Sequence, residues 1–243
     1  MKNLMIAAFF TALVVATTSS AQQAPPAQQP PPPTPQQRVA MLQQWLKASQ
    51  VQLRAYQWVE TTVLAKAGEE KSRQQNQVYY GADGQLVKVP AGSASGGEAS
   101  APRGPLRKHA AAQAKEDLTA YLQQAAALVH SYVPPDPNRI QQSVNAGNFA
   151  VNMVVPGRQV RLDFKNYLKA DDVLSVDIEL PTNRLMGMQV SSYLDTRTDA
   201  VKLDVTMGLL PDGTIYTAVT KLAAPAKDIT VTIENAGHRR LGG

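Results

Sequence analysis

The chain has 243 residues, no cysteine, 6% aromatic residues and a formal net charge of +5. Without cysteine it cannot form disulfides, bind a metal through thiolates or act as a thiol enzyme. The small charge excess is too weak to predict nucleic-acid binding, which requires a clustered basic face. A hydrophobic fraction of 44% is typical of an ordinary globular protein rather than of a disordered chain.

Residues 1–21 have the features of a secretory signal peptide. Lys2 supplies a positive charge, and a nearly continuous apolar run follows from Leu4 to Ala16. Small residues up to Ala21 fit the site that signal peptidase cleaves. The run is shorter than the roughly 20 residues of a membrane-spanning helix. We therefore expect cleavage near Ala21, a periplasmic or secreted protein, and no membrane span after cleavage; an uncleaved anchor is the alternative.

Two segments are predicted to lack regular structure. Residues 22–37 are rich in proline and glutamine, so we predict a disordered tether that is partly polyproline II. The tether is either a spacer or a ligand for a proline-binding domain. Residues 91–105 are rich in glycine and serine and are predicted to form a flexible loop. Residues 38–240 are predicted to form a single domain that contains this loop.

Three helices are predicted, two of them from apolar residues at helical spacing. The first covers residues 38–49 and places Trp45 and Leu46 on one apolar face. The second covers residues 106–132 and carries a longer apolar stripe. A short helix is predicted at residues 138–145, directly after a proline.

About ten β-strands are predicted, roughly three of them between residues 52 and 90 and roughly seven after residue 150. In the second group apolar and polar residues alternate, which indicates antiparallel strands with one face in water. Leu162, Val176 and Val205 belong to the apolar set and are expected to face the same sheltered side.

An apolar face that extends over ten strands has to be covered. We therefore predict an α+β fold built on a strongly curved antiparallel sheet, that is, an open or incomplete β-barrel. The amphipathic helices are expected to cover its concave side, because this arrangement shields the apolar faces of both the sheet and the helices.

This order of elements after a cleaved leader resembles the periplasmic lipoprotein-carrier superfamily of LolA/LolB-type and RseB-type half-barrels. The sequences YYGADG at residues 79–84 and LLPDGT at residues 209–214 are similar to segments of exported bacterial proteins of unassigned function. The resemblance implies a half-open barrel whose helices close the mouth of a hydrophobic cavity. It also implies a lipid, a lipidated protein or another lipoprotein-related partner, and it does not imply catalysis.

The residues that could carry chemistry do not form a recognisable motif. The sequence has three histidines: His109, His130 and His238. Their spacing does not match that of a zinc site. The closest carboxylate pairs, Asp171 with Asp172 and Asp195 with Asp199, lie at predicted turns, where aspartate binds the local backbone. We expect no enzymatic activity, no metal and no cofactor; a hydrolase that uses these carboxylates is the minor alternative.

The predicted function is the non-enzymatic binding of a lipid, an acyl chain or another hydrophobic ligand in a cavity gated by helices 38–49 and 106–132. The candidate cavity-lining residues are Trp45, Trp58, Phe164, Met186, Met188 and Met207. Methionine is flexible and polarizable, so it suits ligands of variable shape. The alternative is an envelope interaction or sensing module, in which these residues are ordinary core and a protein partner binds elsewhere.

Overall fold

A computed structural model describes residues 35–92 and 105–242. The predicted signal peptide, most of the tether and most of the 91–105 loop lie outside the described residues. The described chain contains three α-helices, ten strands and one 3₁₀ turn. The elements are α1 (Pro35–Leu53), β1 (Tyr56–Lys66), β2 (Glu69–Tyr80), β3 (Leu86–Pro90), α2 (Pro105–His130), α3 (Pro137–Asn145), β4 (Phe149–Val155), β5 (Gln159–Lys165), β6 (Val173–Glu179), β7 (Arg184–Tyr193), β8 (Ala200–Leu209), β9 (Ile215–Ala224), the 3₁₀ turn Pro225–Lys227 and β10 (Ile229–Arg240).

All ten described strands belong to one antiparallel sheet in the order β3-β2-β1-β10-β9-β8-β7-β6-β5-β4. Neighbouring strands are consecutive in sequence, except that β1 pairs with β10 and so joins the two ends of the domain. Strands β3 and β4 are the edges of the described sheet, so it is not closed into a barrel. The predicted α+β class and the predicted number of strands are confirmed.

The sheet is bent at several interruptions of its strand register. Such shifts occur between Gln57 and Val59 in the β1–β10 pair and between Asp177 and Ile178 in the β6–β7 pair, where the extra residue is Met186 of β7. Another lies between Thr206 and Met207 on β8. An extra residue in one strand of an antiparallel pair bends that strand and increases its local twist. The result is a curved open sheet, as predicted.

The core forms where apolar residues on neighbouring strands lie opposite one another. Leu162 pairs with Val176, Val176 with Met188, and Met188 with Val205, so one apolar row crosses four strands. All four side chains are buried. Helical residues such as Ile140 pack against this row, together with Leu128 and Val129 of α2. The prediction that Leu162, Val176 and Val205 face inward is confirmed.

Strand β6 differs from the prediction of one wet face, because both of its faces are buried from Leu174 to Ile178. On the outer face Arg161 of β5 makes two bonds to Asp177, from Nε to Oδ1 at 2.7 Å and from Nη2 to Oδ2 at 2.8 Å. Ser175 donates to an oxygen of Asp163 at 2.6 Å. These cross-strand contacts cover the polar face of β6. The alternation of apolar and polar residues within one strand does not reveal such cover.

The helix ends also differ slightly from the predictions. Helix α1 begins at Pro35, inside the segment assigned to the tether. Proline is tolerated in a first turn because the backbone N–H it lacks would have no intrahelical partner there. Helix α2 ends at His130 instead of residue 132. The backbone N–H groups of Ser131 and Tyr132 donate to carbonyl oxygens three residues back, which forms a tighter turn after the helix. Within the described ranges, none of the helices has the length and hydropathy needed to cross a bilayer.

Candidate functional site

A cavity of about 700 Å³ lies between the helices and the inner face of the sheet. The sheet wall comes from β7, β8 and β9 and consists of Met188, Leu203, Val205, Met207, Thr217 and Thr220. The opposite wall consists of Leu46, Lys47 and Gln50 from α1, Val129 and His130 from α2, and residues 133–137. The sheet wall is therefore mostly apolar, and every ionisable group of the cavity is on the helical side.

Helix α1 is fixed beside the cavity by two polar contacts to the beginning of β9. The hydroxyl oxygen of Ser49 accepts the backbone N–H of Ile215 at 3.1 Å. Thr214 donates its hydroxyl to Oε1 of Gln52 at 2.9 Å. Both Ser49 and Thr214 are buried. Because Lys47 and Gln50 lie on the same turns of α1, these contacts also set their position at the cavity.

The end of α2 is fixed by Tyr132, which is fully buried. Its hydroxyl lies 2.5 Å from Oδ2 of Asp172 and 2.7 Å from Oγ of Ser192. Burial, and then the neighbouring Asp172 carboxylate, raise the pKa of the Tyr132 hydroxyl well above its usual range. The hydroxyl therefore stays protonated and donates to the carboxylate.

Asp172 is the buried acceptor that connects this helix end to the loop after β5. Oδ1 accepts the backbone N–H of Tyr167 at 2.5 Å, and Oδ2 accepts those of Leu168 and Lys169, each at 2.9 Å. A buried carboxylate requires such donors to offset the loss of hydration. This agrees with the prediction that Asp172 binds local backbone, and it identifies Asp172 as a structural residue.

Residues 133–137 form the part of the helical wall between α2 and α3. Asp136 is the N-cap of α3, with Oδ1 accepting the backbone N–H of Asn138 at 2.8 Å. The backbone N–H of Asp136 donates to the hydroxyl of Tyr167 at 2.7 Å. Pro134, Pro135 and Pro137 restrict the backbone of this segment. These contacts hold the wall at Asp136, the end next to α3.

The other candidate carboxylates have structural partners or lie at the surface. Asp199 accepts the hydroxyl of Tyr121 at 2.8 Å, and Lys227 lies over the Tyr121 ring. Burial, followed by the Asp199 contact, raises the pKa of Tyr121 to about 12. Asp171 forms an exposed ion pair with Arg197. Within residues 35–92 and 105–242, no group of three or more His, Asp or Glu residues could hold a metal ion.

Two of the six residues predicted to line the cavity, Met188 and Met207, are part of its sheet wall. Phe164 does not line it, because this fully buried ring packs against Phe149 with the ring centroids 5.2 Å apart. Met186 lies beside the register shift of β7 and lines a separate cavity of about 300 Å³. The side chain of Trp45 lies outside the described residues.

Trp58 is also absent from the cavity wall and belongs to an aromatic cluster. Its indole Nε1 donates to Oδ1 of Asn235 at 3.0 Å. Its ring stacks on His238 at 5.5 Å, and the His238 ring lies 4.1 Å from that of Tyr216. Burial in this cluster lowers the pKa of His238 below its usual range.

Sequence reasoning missed most of the helical wall. Leu46 and Val129 lie on the apolar stripes of the predicted helices, so their inward direction was available from periodicity. The role of residues 133–137 in the cavity wall cannot be derived from periodicity, because prolines at that place indicate only the end of a helix. The spacing of Lys47 and Gln50 does not predict a place at the cavity. Their position depends on where α1 packs against the sheet.

Comparisons with known proteins include a distant structural likeness. No protein-family model matches the chain, and a search of curated proteins finds no relative. A crystal structure of a DUF1329 family protein from Desulfovibrio piger is similar at 10% sequence identity and a TM-score of 0.33. The match covers 83% of this chain and 94% of that chain.

We expect Asp172→Asn to lower the free energy of unfolding by roughly 2–3 kcal/mol, the range for losing hydrogen bonds to a charged group. The amide preserves the shape of the carboxylate but removes its charge and turns an N–H₂ group toward backbone donors. Urea denaturation measures the change. Asp171→Asn is the matched control, because Asp171 is exposed, and it should be close to neutral. Equal stability of the two variants would contradict the structural role of Asp172.

We expect the stability of the protein to fall as the pH decreases below about 6.5, the ordinary pKa of histidine. Because His238 has a lowered pKa in the folded protein, the unfolded chain takes up the proton first and is favoured. His238→Phe keeps an aromatic ring but cannot be protonated, so its unfolding free energy should depend less on pH. His109→Phe, at an exposed position of α2, is the control and should retain the wild-type profile in urea titrations from pH 7.5 to 5.

Proposed function

We propose that this chain is a non-enzymatic binding protein for a lipid, an acyl chain or another hydrophobic ligand. The observation that carries the proposal is the cavity of about 700 Å³ on the inner face of the sheet. Small-molecule sites usually measure about 300–1,000 Å³, so the volume is suitable for a ligand of this class. A concave side filled with side chains would instead have favoured the interaction module.

The chemistry of the sheet wall supports an apolar ligand. Leu203 and Val205 provide a buried aliphatic surface, and Met188 and Met207 add flexible side chains that can adapt to a ligand. Removing apolar surface from water contributes about 25 cal/mol per Å². Binding through this surface would depend on the area buried more than on a particular arrangement of polar groups.

The proposal does not include catalysis, and the contacts of Asp172 and Asp199 support this choice. Asp172 uses both oxygens on backbone N–H groups and on Tyr132. Asp199 accepts a tyrosine hydroxyl beside α2. Neither carboxylate lines the cavity, so neither is placed to act on a ligand bound there.

Native mass spectrometry of the purified protein tests the proposal, and we expect a co-purified hydrophobic molecule. Met207→Trp should fill part of the cavity and reduce the bound fraction, because the indole occupies space that the ligand needs. Met153→Trp is the matched control, since Met153 is exposed on the edge strand β4, and it should retain the ligand.

Circular dichroism should show that both tryptophan variants are folded. Protein that is consistently empty, and that also fails to bind added dodecanoate or dodecan-1-ol, would overturn the binding function. Equal ligand retention by the two variants would show that a ligand binds outside this cavity.

We also propose that the protein acts in the periplasm or is secreted, after its leader is cleaved near Ala21. The charged start, apolar run and small residues of the leader support this location. A partner in the envelope would then be a lipid, a lipidated protein or another envelope protein. Mass spectrometry of the exported protein should find a new N-terminus at Gln22, and a full-length chain retained in the cytoplasm would contradict the proposal.

A further inference from the structure

The polar groups of the cavity are unevenly distributed between its two walls. The sheet wall has two threonine hydroxyls, from Thr217 and Thr220, and no ionisable side chain. The helical wall holds Lys47, His130 and Asp136. An amphiphilic ligand therefore has one favourable orientation, with its apolar chain on the sheet and its polar head beside the helices.

The charges on the helical wall favour an anionic head. The Asp136 carboxylate is engaged in capping α3, where Oδ1 accepts the backbone N–H of Asn138. Lys47 is exposed, and no carboxylate of the described chain lies within ion-pair distance of its ammonium group. The cavity thus offers a positive charge that no carboxylate of the described chain pairs, whereas its Asp136 carboxylate faces the N-terminus of α3, whose dipole offsets part of the negative charge.

The backbone of Lys47 is also held in a fixed position beside the cavity. It lies on α1 between Leu46, which packs against the core cluster, and Ser49, which binds the backbone of β9. The helix cannot rotate without breaking these contacts, so the base of the Lys47 side chain stays at the cavity. Its flexible stem allows the ammonium group to reach heads of somewhat different size.

We propose that the ligand is an amphiphile with an acyl chain and an anionic headgroup, and that Lys47 determines this preference. The proposal rests on the binding function proposed above and specifies its ligand class. The chain would lie along Met188, Val205 and Met207, and the head would pair with Lys47 near His130. Because the pair would be partly exposed to water, salt should weaken it.

Isothermal titration calorimetry with three probes of equal chain length tests the charge preference at low ionic strength. We expect dodecanoate to bind more tightly than dodecan-1-ol, and dodecyltrimethylammonium to bind least well. Lys47→Met should weaken dodecanoate binding about three- to fivefold, the effect of losing one partly exposed ion pair. It should leave binding of the alcohol unchanged, and Lys47→Glu should favour the cationic probe.

Lys202→Met is the matched control for the removal of a lysine. Lys202 follows Val201 and precedes Leu203 on β8, so it lies on the outer face, where it lines a separate cleft of about 410 Å³ with Gln189 and Asp204. This variant should bind dodecanoate as the wild type does. A loss caused by Lys202→Met and not by Lys47→Met would place the anion site on the outer face and overturn the assignment.

The remaining outcomes separate this inference from the proposed function. Equal binding of all three probes, unchanged in Lys47→Met, would overturn the charge preference and leave hydrophobic binding intact. Tightest binding of the cationic probe by the wild type would also overturn it. Failure of every probe to bind folded protein would overturn the binding function itself.

Discussion

The structure depends on shielding one apolar sheet face from water. Alternation on β5 to β8 places Leu162, Val176, Met188 and Val205 on the same side, and the sheet remains open because β3 and β4 are not joined. Helices therefore have to provide the cover. Near Ile140 of α3 the helical side chains pack closely against the sheet. Over β8 and β9 they cover it less completely, and the cavity lies there.

Buried polar contacts determine where this cover is placed. The Tyr132–Asp172 contact joins the end of α2 to the loop after β5, and the Ser49 contact joins α1 to β9. A buried hydroxyl or carboxylate that lost its partner would be costly, so these contacts oppose displacement of the helices. They hold the two parts of the helical wall in position and so maintain the open volume between the helices and the sheet.

The cavity residues show how far local sequence patterns extend. Periodicity correctly indicates that Met188 and Met207 belong to the sheltered side, but it also selects Phe164, which other side chains cover completely. Trp58 is a large aromatic residue of the kind that often contacts ligands. Its indole N–H instead donates a hydrogen bond to Asn235 of β10, which is far from it in sequence. Whether an inward residue is core or cavity wall depends on what lies above it, and that cover comes from distant segments.

The sequence alone determines the class of fold and the approximate positions of helices and strands. It also determines the inward direction of the apolar strand residues. These features follow from backbone periods of 3.6 and 2 residues, which act over a few neighbouring positions. Only the folded chain shows the pairing of β1 with β10, the contact of Tyr132 with Asp172, the two-sided burial of β6 and the place of Lys47 at the cavity. Each depends on contacts between residues far apart in sequence, and their energies depend on burial that exists only after the whole sheet has formed.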